Sequence, residues 1–392
     1  MRIETAPMGW NSWNTFGPNI SDSLIRETAL AMKEQGYLEA GYEYIVIDDC
    51  WSLRERDENG RLVPDPEKFP NGMKALSDYV HSLGFKFGMY SCAGVRTCAG
   101  YPSSFDHEFI DAKTFAEWGV DYLKYDFCSF PASADCKTRY AMMSLALKAS
   151  GRDIVFSACN WGMHEPWKWM KSIGVHLYRS TGDIFDNFRS TTDIVKSQLE
   201  NFCMSGTDCF NDIDMLTVGM YGKGNVAVGN TNGDEEYRTE FALWCMLSAP
   251  LMLGGDVRNL NPFCKELVLN PGLLRINQDA ECRPPYPVYR GRVINTDYDE
   301  ATGTGWHEYP DDGLTLFKHL SGNEFAVGYF NFAPKRAEVP FTFADAGLPY
   351  TSGVALEMTD VFTGETTGPV RDYMNLVVPA HGCRVFLARM KV

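Results

Sequence analysis

The segment "VDYLKYDFC" at residues 120–128 has the composition of a buried β-strand, but charged side chains occupy its last third. Side chains alternate between the two faces of a strand, so Tyr122, Lys124 and Asp126 share one face. A lysine and an aspartate at the end of a single strand usually form an ion pair of little consequence. The pair points to a functional site only if neighbouring strands end in the same way.

Seven further runs resemble this one, and together they decide the fold. Each is short and apolar, ends in polar or aromatic residues, and is separated from the next by a loop and a stretch of helical periodicity. They lie at residues 8–13, 43–51, 85–94, 153–162, 175–184, 210–219 and 249–256. Eight strands alternating with helices predict an α/β fold, a parallel (β/α)8 TIM barrel over roughly the first 280 residues. An open doubly wound sheet is the rival, but "WNSWNTFGPN" (10–19) is not the Gly-rich phosphate loop expected after its first strand.

Capping signals support the predicted helices. Ser21 precedes a stretch with apolar residues at helical spacing and is a plausible N-cap. Gly36, Gly84 and Gly119 each follow such a stretch, where a left-handed residue commonly ends a helix. The Gly- and Asn-rich residues 221–236 are predicted to form a long loop.

The pattern changes after residues 281–290, where short alternating runs separated by Gly, Asn, Asp and Pro begin. This pattern predicts a small antiparallel β domain, a β-sandwich. The Pro-rich residues 284–287 mark the junction. We therefore predict a catalytic barrel at residues 1–283 and a β domain at 284–392.

Bulk properties narrow the partners and the compartment. A net charge of −15 over 392 residues argues against nucleic acid or an anionic membrane as a partner. No apolar run is long enough to cross a bilayer, and the first residues lack the apolar core of a secretory signal. We expect a cytoplasmic protein, or a secreted one if a leader was removed. The 12 cysteines show no CxxC pair and no zinc spacing, and we expect them to be reduced.

Polar residues at the carboxyl ends of barrel strands form the active site in this fold. In this sequence they are Trp13, Asp48, Asp49, Trp51, Tyr90, Lys124, Asp126, Asn160, Trp161, Arg179, Asp183, Asp212 and Asp214. Histidine is missing from this set, which makes a metal-dependent hydrolase a weak candidate, and we expect no metal and no cofactor. Aromatic rings stack on the C–H faces of a sugar and carboxylates bind its hydroxyls, so the set favours a carbohydrate ligand.

Cleavage of a glycosidic bond needs two carboxyl groups in different protonation states. Asp126 is a candidate nucleophile, since the nearby Lys124 favours its ionised form. Asp183 is a candidate proton donor, although an arginine too close to it, such as Arg179, would lower its pKa. Structural roles compete with each assignment, because strand-end aspartates often cap helices and tryptophans often pack in the core. A binding protein without turnover and a metal-assisted lyase stay open as other classes.

The motifs as a whole resemble the retaining α-galactosidases and α-N-acetylgalactosaminidases of glycoside hydrolase family 27. The resemblance runs in order through "MGWNSWNTFG", "IDDCW", "GMYSCAGVRTCAGYPSSF", "TFAEWGVDYLKYD", "CNWG", "RSTGDI", "NDIDML" and "SAPLMLGGD". It covers the whole predicted barrel, and the C-terminal region agrees in position and size.

The resemblance implies specific roles. Asp126 would be the nucleophile that forms a covalent glycosyl-enzyme, and Asp183 the general acid and base. Asp48 and Asp49 would hold the 4- and 6-hydroxyls of galactose, and an Asp at position 49 favours a hexose over an arabinopyranose. The implied substrate-binding residues are Trp13, Asp48, Asp49, Tyr90, Lys124, Asn160, Trp161, Arg179 and Asp214.

Three departures from the family pattern matter. Asn160 stands where many members have a glutamate beside the sugar's 2-position, so α-N-acetylgalactosaminidase and β-L-arabinopyranosidase activities stay as alternatives to the favoured exo-α-galactosidase. Pro18 replaces a cysteine that pairs in secreted members, which leaves Cys50 unpaired. Cys98 and Cys128 occupy positions that bond in many relatives, and here we expect free thiols. The expected partner is a galactoside or oligosaccharide, with a homo-oligomer possible in principle.

Overall fold

The computed structural model describes residues 2–391, and its first sheet contains the eight predicted strands. The strands are β1 (Met8–Asn11), β2 (Tyr44–Val46), β3 (Lys86–Cys92), β4 (Tyr122–Asp126), β5 (Val155–Ala158), β6 (Leu177–Arg179), β7 (Phe210–Asp212) and β8 (Leu251–Leu253). All pairs are parallel, in the order β7-β6-β5-β4-β3-β2-β1-β8. A parallel bridge between Leu216 and Leu253 links the two ends of this order, so the sheet closes into the predicted barrel.

The register of β3 and β4 brings their polar ends to one edge. Tyr90 lies beside Lys124, and Cys92 lies beside Asp126. On the other side of β4, Lys124 lies beside Ser157 of β5. In parallel strands the carboxyl ends meet at the same edge, so this register gathers side chains that are far apart in the chain.

The helices follow most of the strands. They are α1 (Trp13–Phe16), α2 (Asp22–Glu34), α3 (Gly72–Ser82), α4 (Glu108–Trp118), α5 (Cys136–Ala149), α6 (Phe188–Gln198), α7 (Asp234–Met246), α8 (Pro262–Val268) and α9 (Pro271–Asn277). The predicted cap of α2 is confirmed, since the hydroxyl of Ser21 accepts the Leu24 N–H at 3.2 Å. Gly119 is left-handed after α4, with φ 82°, as the sequence predicts.

The connection from β5 to β6 differs from the helical pattern. It forms two short 3-10 turns, Pro166–Lys168 and Met170–Ile173, instead of an α-helix. The physical reason is local, since His164 and Glu165 both have positive φ, and Trp169, between the two turns, has an extended φ of −141°. The predicted loop at 221–236 is also shortened at its end, because α7 begins at Asp234.

The C-terminal residues form the predicted antiparallel β domain. Its strands are β9 (Tyr286–Asn295), β10 (His307–Leu320), β11 (Glu324–Asn331), β12 (Ala337–Val339), β13 (Ala355–Asp360), β14 (Thr366–Val370), β15 (Leu376–Val378) and β16 (Cys383–Lys391). The order is β14-β13-β16-β11-β10-β9-β12-β15. Met358 of β13 and Val339 of β12 lie near opposite ends of this order, yet both belong to one buried core. The sheet therefore folds over itself into a sandwich.

Contacts between residues group the chain into two compact units. One contains the residues up to Asp186 together with Thr207–Gly229 and Pro250–Asn261, and it holds all eight barrel strands. The other contains Asn187–Gly206, Asn230–Ala249 and the residues from Pro262 onward. The domain boundary between residues 283 and 284 stays a prediction. None of the helices among residues 2–391 combines the length and apolarity of a membrane span.

Candidate active site

The strand ends of the barrel unit surround a cavity of about 190 Å³. Most of the predicted site residues line it, namely Trp13, Asp48, Asp49, Tyr90, Lys124, Asp126, Arg179, Asp183 and Asp214. They come from six different strands or the loops after them, so only the folded barrel brings them together.

Asp126 lies at the end of β4 and is buried, with 6% of its surface exposed. One carboxylate oxygen accepts the Tyr90 hydroxyl at 2.9 Å, and the other accepts the Phe127 N–H at 2.9 Å. Burial raises the pKa of Asp126, while Lys124 and these two hydrogen bonds lower it. The carboxylate is thus oriented by two donors and retains lone pairs for a ligand.

Lys124 forms a buried ion pair with Asp48. Its Nζ atom lies 2.7 Å from Oδ2 of Asp48, and the two side chains are 15% and 3% exposed. Asn11 donates to the same Oδ2 at 2.8 Å, and the Asp49 N–H donates to Oδ1 at 2.9 Å. Burial alone lowers the pKa of Lys124, but Asp48 reverses the effect and holds that pKa well above its ordinary value.

Asp49 is held by two backbone donors. Its oxygens accept the Cys50 N–H at 2.7 Å and the Ala99 N–H at 2.9 Å. Burial raises the pKa of Asp49 and these hydrogen bonds lower it. The Ala99 contact ties the carboxylate to the loop after β3, so the geometry of that loop affects the site.

Arg179 joins two carboxylates at the other side of the cavity. Its Nη2 atom lies 2.8 Å from Oδ1 of Asp183 and 2.8 Å from Oδ2 of Asp214. The Asp183 side chain is 67% exposed, whereas Arg179 and Asp214 are buried. Burial raises the pKa of Asp183, but Arg179 and Lys124 outweigh it and lower that pKa. Burial also raises the pKa of Asp214, to about 6, with Arg179 opposing the rise and Asp183 adding to it.

Trp51 and Asp212 are strand-end residues that do not line the cavity. Trp51 is buried, donates its indole N–H to the Tyr90 carbonyl at 3.0 Å and packs edge-on against Trp118. Asp212 accepts the Asp214 N–H at 2.9 Å. Trp51 and Asp212 therefore hydrogen-bond to the backbone of two lining residues, Tyr90 and Asp214, without lining the cavity themselves.

Asn160 and Trp161 also lie outside the cavity lining, although the sequence predicts them as substrate-binding residues. Asn160 is fully buried and its amide donates to the Met163 carbonyl. Trp161 has a positive φ of 56°, and its ring lies 6.0 Å from that of Phe127 in an edge-on arrangement. The Asn160 amide is bonded to Met163 and the Trp161 ring lies against Phe127, and the contact of either side chain with a substrate stays a prediction.

The structure corrects the expectation of free thiols at Cys98 and Cys128, which it joins by a disulfide with Cα atoms 5.0 Å apart. The Cys98 sulfur lies 3.4 Å from an Asp126 oxygen. These three residues resemble a metal-binding cluster, with ligand-type atoms within 4.8 Å of one another, but bridged sulfurs are not thiolate ligands. Cys50 is free, as the sequence predicts.

Several lining residues were not predicted, among them Asn14, Cys98, Phe185, Asn225 and Val226. Asn225 and Val226 belong to the loop at 221–236, and their N–H groups donate to the Asn14 carbonyl at 2.8 and 3.2 Å. The glycines of that loop indicate an irregular backbone. The loop has no charged residue at the end of a strand, so the strand-end pattern does not identify Asn225 or Val226 as site residues. Phe185 follows Asp183 by two residues, and this spacing was the available signal.

The arrangement offers two carboxylates with different surroundings around one small polar space. Asp126 is buried and held by donors, whereas Asp183 faces solvent. The hydrogen-bonding groups of Asp48, Asp49 and Lys124 line the same cavity. Such a cavity can bind a polyhydroxylated ring and present one acid to each side of it.

Comparisons with known proteins agree with this chemistry. The family described as alpha galactosidase A matches residues 5–279, and the alpha galactosidase C-terminal beta sandwich domain matches residues 314–388. An alpha-galactosidase of Cyamopsis tetragonoloba is 40% identical over 385 residues, which cover 98% of this chain and 86% of that protein.

Solved structures are similar over nearly the whole chain. Alpha-galactosidase I from Mortierella vinacea has a TM-score of 0.88 and 33% identity, covering 98% of this chain and 96% of that one. An α-galactosidase of Saccharomyces cerevisiae solved with raffinose has a TM-score of 0.84 and 27% identity, covering 99% and 98% of the two chains.

Proposed function

The chain belongs to glycoside hydrolase family 27, the α-galactosidase family, and from this membership we propose which residues of the cavity carry out the reaction. The protein is a glycoside hydrolase that acts on α-galactosides, and the family mechanism retains the anomeric configuration. Two displacements at the anomeric carbon give this outcome, one by an enzyme carboxylate and one by water.

Asp126 is the proposed nucleophile. Its attack on the anomeric carbon forms a carboxylate ester with the sugar and breaks the bond to the leaving oxygen. The Tyr90 hydroxyl and the Phe127 N–H, each 2.9 Å from one of its oxygens, fix the direction of attack. Lys124 supports the ionised form against the effect of burial.

Asp183 is the proposed acid and base. It gives its proton to the leaving oxygen in the first step and takes a proton from water in the second. Its exposure at the mouth supports this role, because the leaving group and the incoming water both pass that side. The ion pair with Arg179 opposes this role, because it lowers the pKa of Asp183.

Recognition of the sugar is assigned to the carboxylates deeper in the cavity. Asp48 and Asp49 each retain acceptor capacity beyond the bonds they already accept, so they are suited to bind adjacent sugar hydroxyls. Trp13 adds an aromatic face, and Lys124 and Arg179 add donors. This set supports binding of the galactosyl ring of the substrate in the deeper part of the cavity.

Product stereochemistry tests the proposal. During hydrolysis of p-nitrophenyl α-galactoside, NMR spectra at early times should show α-galactose before mutarotation, and β-galactose as the first product would overturn it. Asp126→Gly should lose activity by about 10³-fold or more, and added azide should then yield β-galactosyl azide. A normal rate in that variant would remove Asp126 as the nucleophile. The same assay with α-N-acetylgalactosaminide and β-L-arabinopyranoside substrates decides which substituents the enzyme accepts at C2 and at C5 of the sugar ring.

We also propose that the protein is secreted. Disulfides persist in oxidising environments, so the Cys98–Cys128 bridge favours the secreted location over the cytoplasmic one among the two that the sequence leaves open. Thiol titration of the protein unfolded without reductant should find ten thiols if the bridge is present, out of 12 cysteines in the chain. Twelve thiols in protein taken directly from its native host would favour the cytoplasm.

A further inference from the structure

Residues 183–186 follow β6 and alternate between exposed and buried at the cavity. Asp183 and Phe185 are exposed, whereas Ile184 and Asp186 are buried. This alternation is the period of an extended chain, in which every second side chain faces the same way. Asp183 and Phe185 therefore face the same side, and both line the cavity.

The inward-facing residues anchor this segment. The Ile184 N–H donates to Oδ2 of Asp214 at 2.7 Å. The Asp186 N–H donates to the Val226 carbonyl at 3.0 Å, and the Asp186 carboxylate accepts the Gly222 N–H at 2.7 Å. With the backbone held at two successive inward positions, Phe185 has a fixed place at the mouth.

The position of the leaving group follows from the two carboxyls. Asp126 is buried at the end of β4, and Asp183 is 67% exposed at the mouth. A general acid must reach the glycosidic oxygen within hydrogen-bond distance, so that oxygen lies beside Asp183. The first atoms beyond the oxygen then point outward, along the side that Phe185 shares.

We propose that Phe185 forms one wall of the leaving-group subsite and selects galactosides whose aglycone presents a flat apolar face. Phe185 is 41% exposed and lines the same cavity as Asp183, so its exposed apolar surface suits an aryl ring or the C–H face of a second pyranose. A small alkyl aglycone cannot cover that surface. This inference rests on the proposed role of Asp183 and deepens it by naming the aglycone class.

Because the reaction has two steps, a role of Phe185 in binding the aglycone can be distinguished from general damage to the site. The aglycone departs when the galactosyl-enzyme forms, so Phe185 does not contact an aglycone during hydrolysis of that intermediate. Loss of the ring should lower kcat/KM for extended substrates and leave inhibition by free galactose unchanged.

The test compares wild type with Phe185→Ala on three substrates: methyl α-galactoside, an α-1,6-linked galactosyl-glucose disaccharide and p-nitrophenyl α-galactoside. We expect kcat/KM to fall about 5- to 10-fold for the disaccharide and the aryl substrate, and less than about 2-fold for the methyl glycoside. Phe185→Trp should restore most of the loss. Phe109→Ala, which removes an exposed phenyl ring on α4 outside the cavity, is the matched control and should change none of the three.

Equal losses on all three substrates, or a changed inhibition constant for galactose, would overturn the inference, since either result means general damage to the site. No change on any substrate would overturn it as well. Failure of the proposed function has a different signature, namely that wild-type enzyme does not hydrolyse methyl α-galactoside with retention.

Discussion

The Nη2 atom of Arg179 lies 2.8 Å from Oδ1 of Asp183, the residue proposed to donate a proton. The pair lowers the pKa of Asp183, although a general acid works best with a raised one. The same nitrogen also contacts Asp214 at 2.8 Å, so the two carboxylates compete for one cation. The charge of Asp214 therefore limits how strongly Arg179 depresses the pKa of Asp183.

The first prediction concerns this competition. Asp183 raises the pKa of Asp214, and the interaction is reciprocal, so Asp214, once ionised above about pH 6, favours the protonated form of Asp183. Asp214→Asn removes that charge and leaves Arg179 to Asp183 alone, so Asp183 should lose its proton at lower pH. In a profile of kcat/KM against pH, the alkaline limb should move to lower pH by about one unit. The measurement needs a substrate with a poor leaving group, such as a methyl glycoside, for which proton donation matters.

A substrate with a very good leaving group provides the control for Asp214→Asn. Its departing oxygen needs little protonation, so the alkaline limb of its profile should be nearly the same in the variant and in wild type. An alkaline limb that stays in place for the methyl glycoside would contradict the coupling between Asp214 and Asp183.

The second prediction concerns Lys124. Lys124 lowers the pKa of Asp126 against the effect of burial, so Lys124→Met should raise it and move the acid limb of kcat/KM upward by about one pH unit. KM should also rise, because Asp48 loses its ion-pair partner. Lys86→Met is a matched control, since Lys86 forms a half-exposed pair with Glu43. An acid limb at the wild-type pH in Lys124→Met would show that another group sets it.

The third prediction concerns the disulfide. Ala99 follows Cys98 directly, and its N–H holds the Asp49 carboxylate at 2.9 Å. The double variant Cys98→Ser, Cys128→Ser should therefore raise KM about 3- to 10-fold with a smaller change in kcat. It should also lose roughly 3–4 kcal/mol in the free energy of unfolding, for a closed loop with a sequence separation of 30.

Reduction of the wild-type protein should reproduce the effect of the double serine variant, whose own kinetics should not respond to reductant. Wild-type KM that is unchanged after complete reduction would separate the disulfide from the position of Asp49. The bridge would then stabilise the fold without shaping the site.

The sequence was sufficient for the barrel and for most of the site. In parallel strands the ends of successive apolar runs share an edge, so Tyr90, Lys124 and Asp126 were predictable as neighbours. The direction of a loop side chain was not predictable in the same way, because it depends on backbone angles such as the positive φ at Trp161. The resemblance to the family motifs implied which acid is the nucleophile and which is the proton donor. The pattern of polar strand ends alone left these roles open.

The errors have physical causes as well. The state of Cys98 and Cys128 was inferred from the presumed compartment, whereas a Cα separation of 5.0 Å allows the bond. Phe185 was not predictable from the polar strand ends, because an apolar side chain at the mouth of the cavity has no charge that distinguishes it from a core residue.

The last prediction concerns Lys318 of β10, which is fully buried between the hydroxyl of Ser248 and the Ile276 carbonyl. Burial lowers its pKa to about 8, from 10.5. Between these values the unfolded chain binds more protons than the folded one, so the free energy of unfolding should rise with pH across this window. Relative to Lys318→Met, wild type should gain about 2 kcal/mol between pH 7 and pH 9.5, measured by urea unfolding. A constant difference between the two proteins over that range would mean that Lys318 keeps its proton in the folded state.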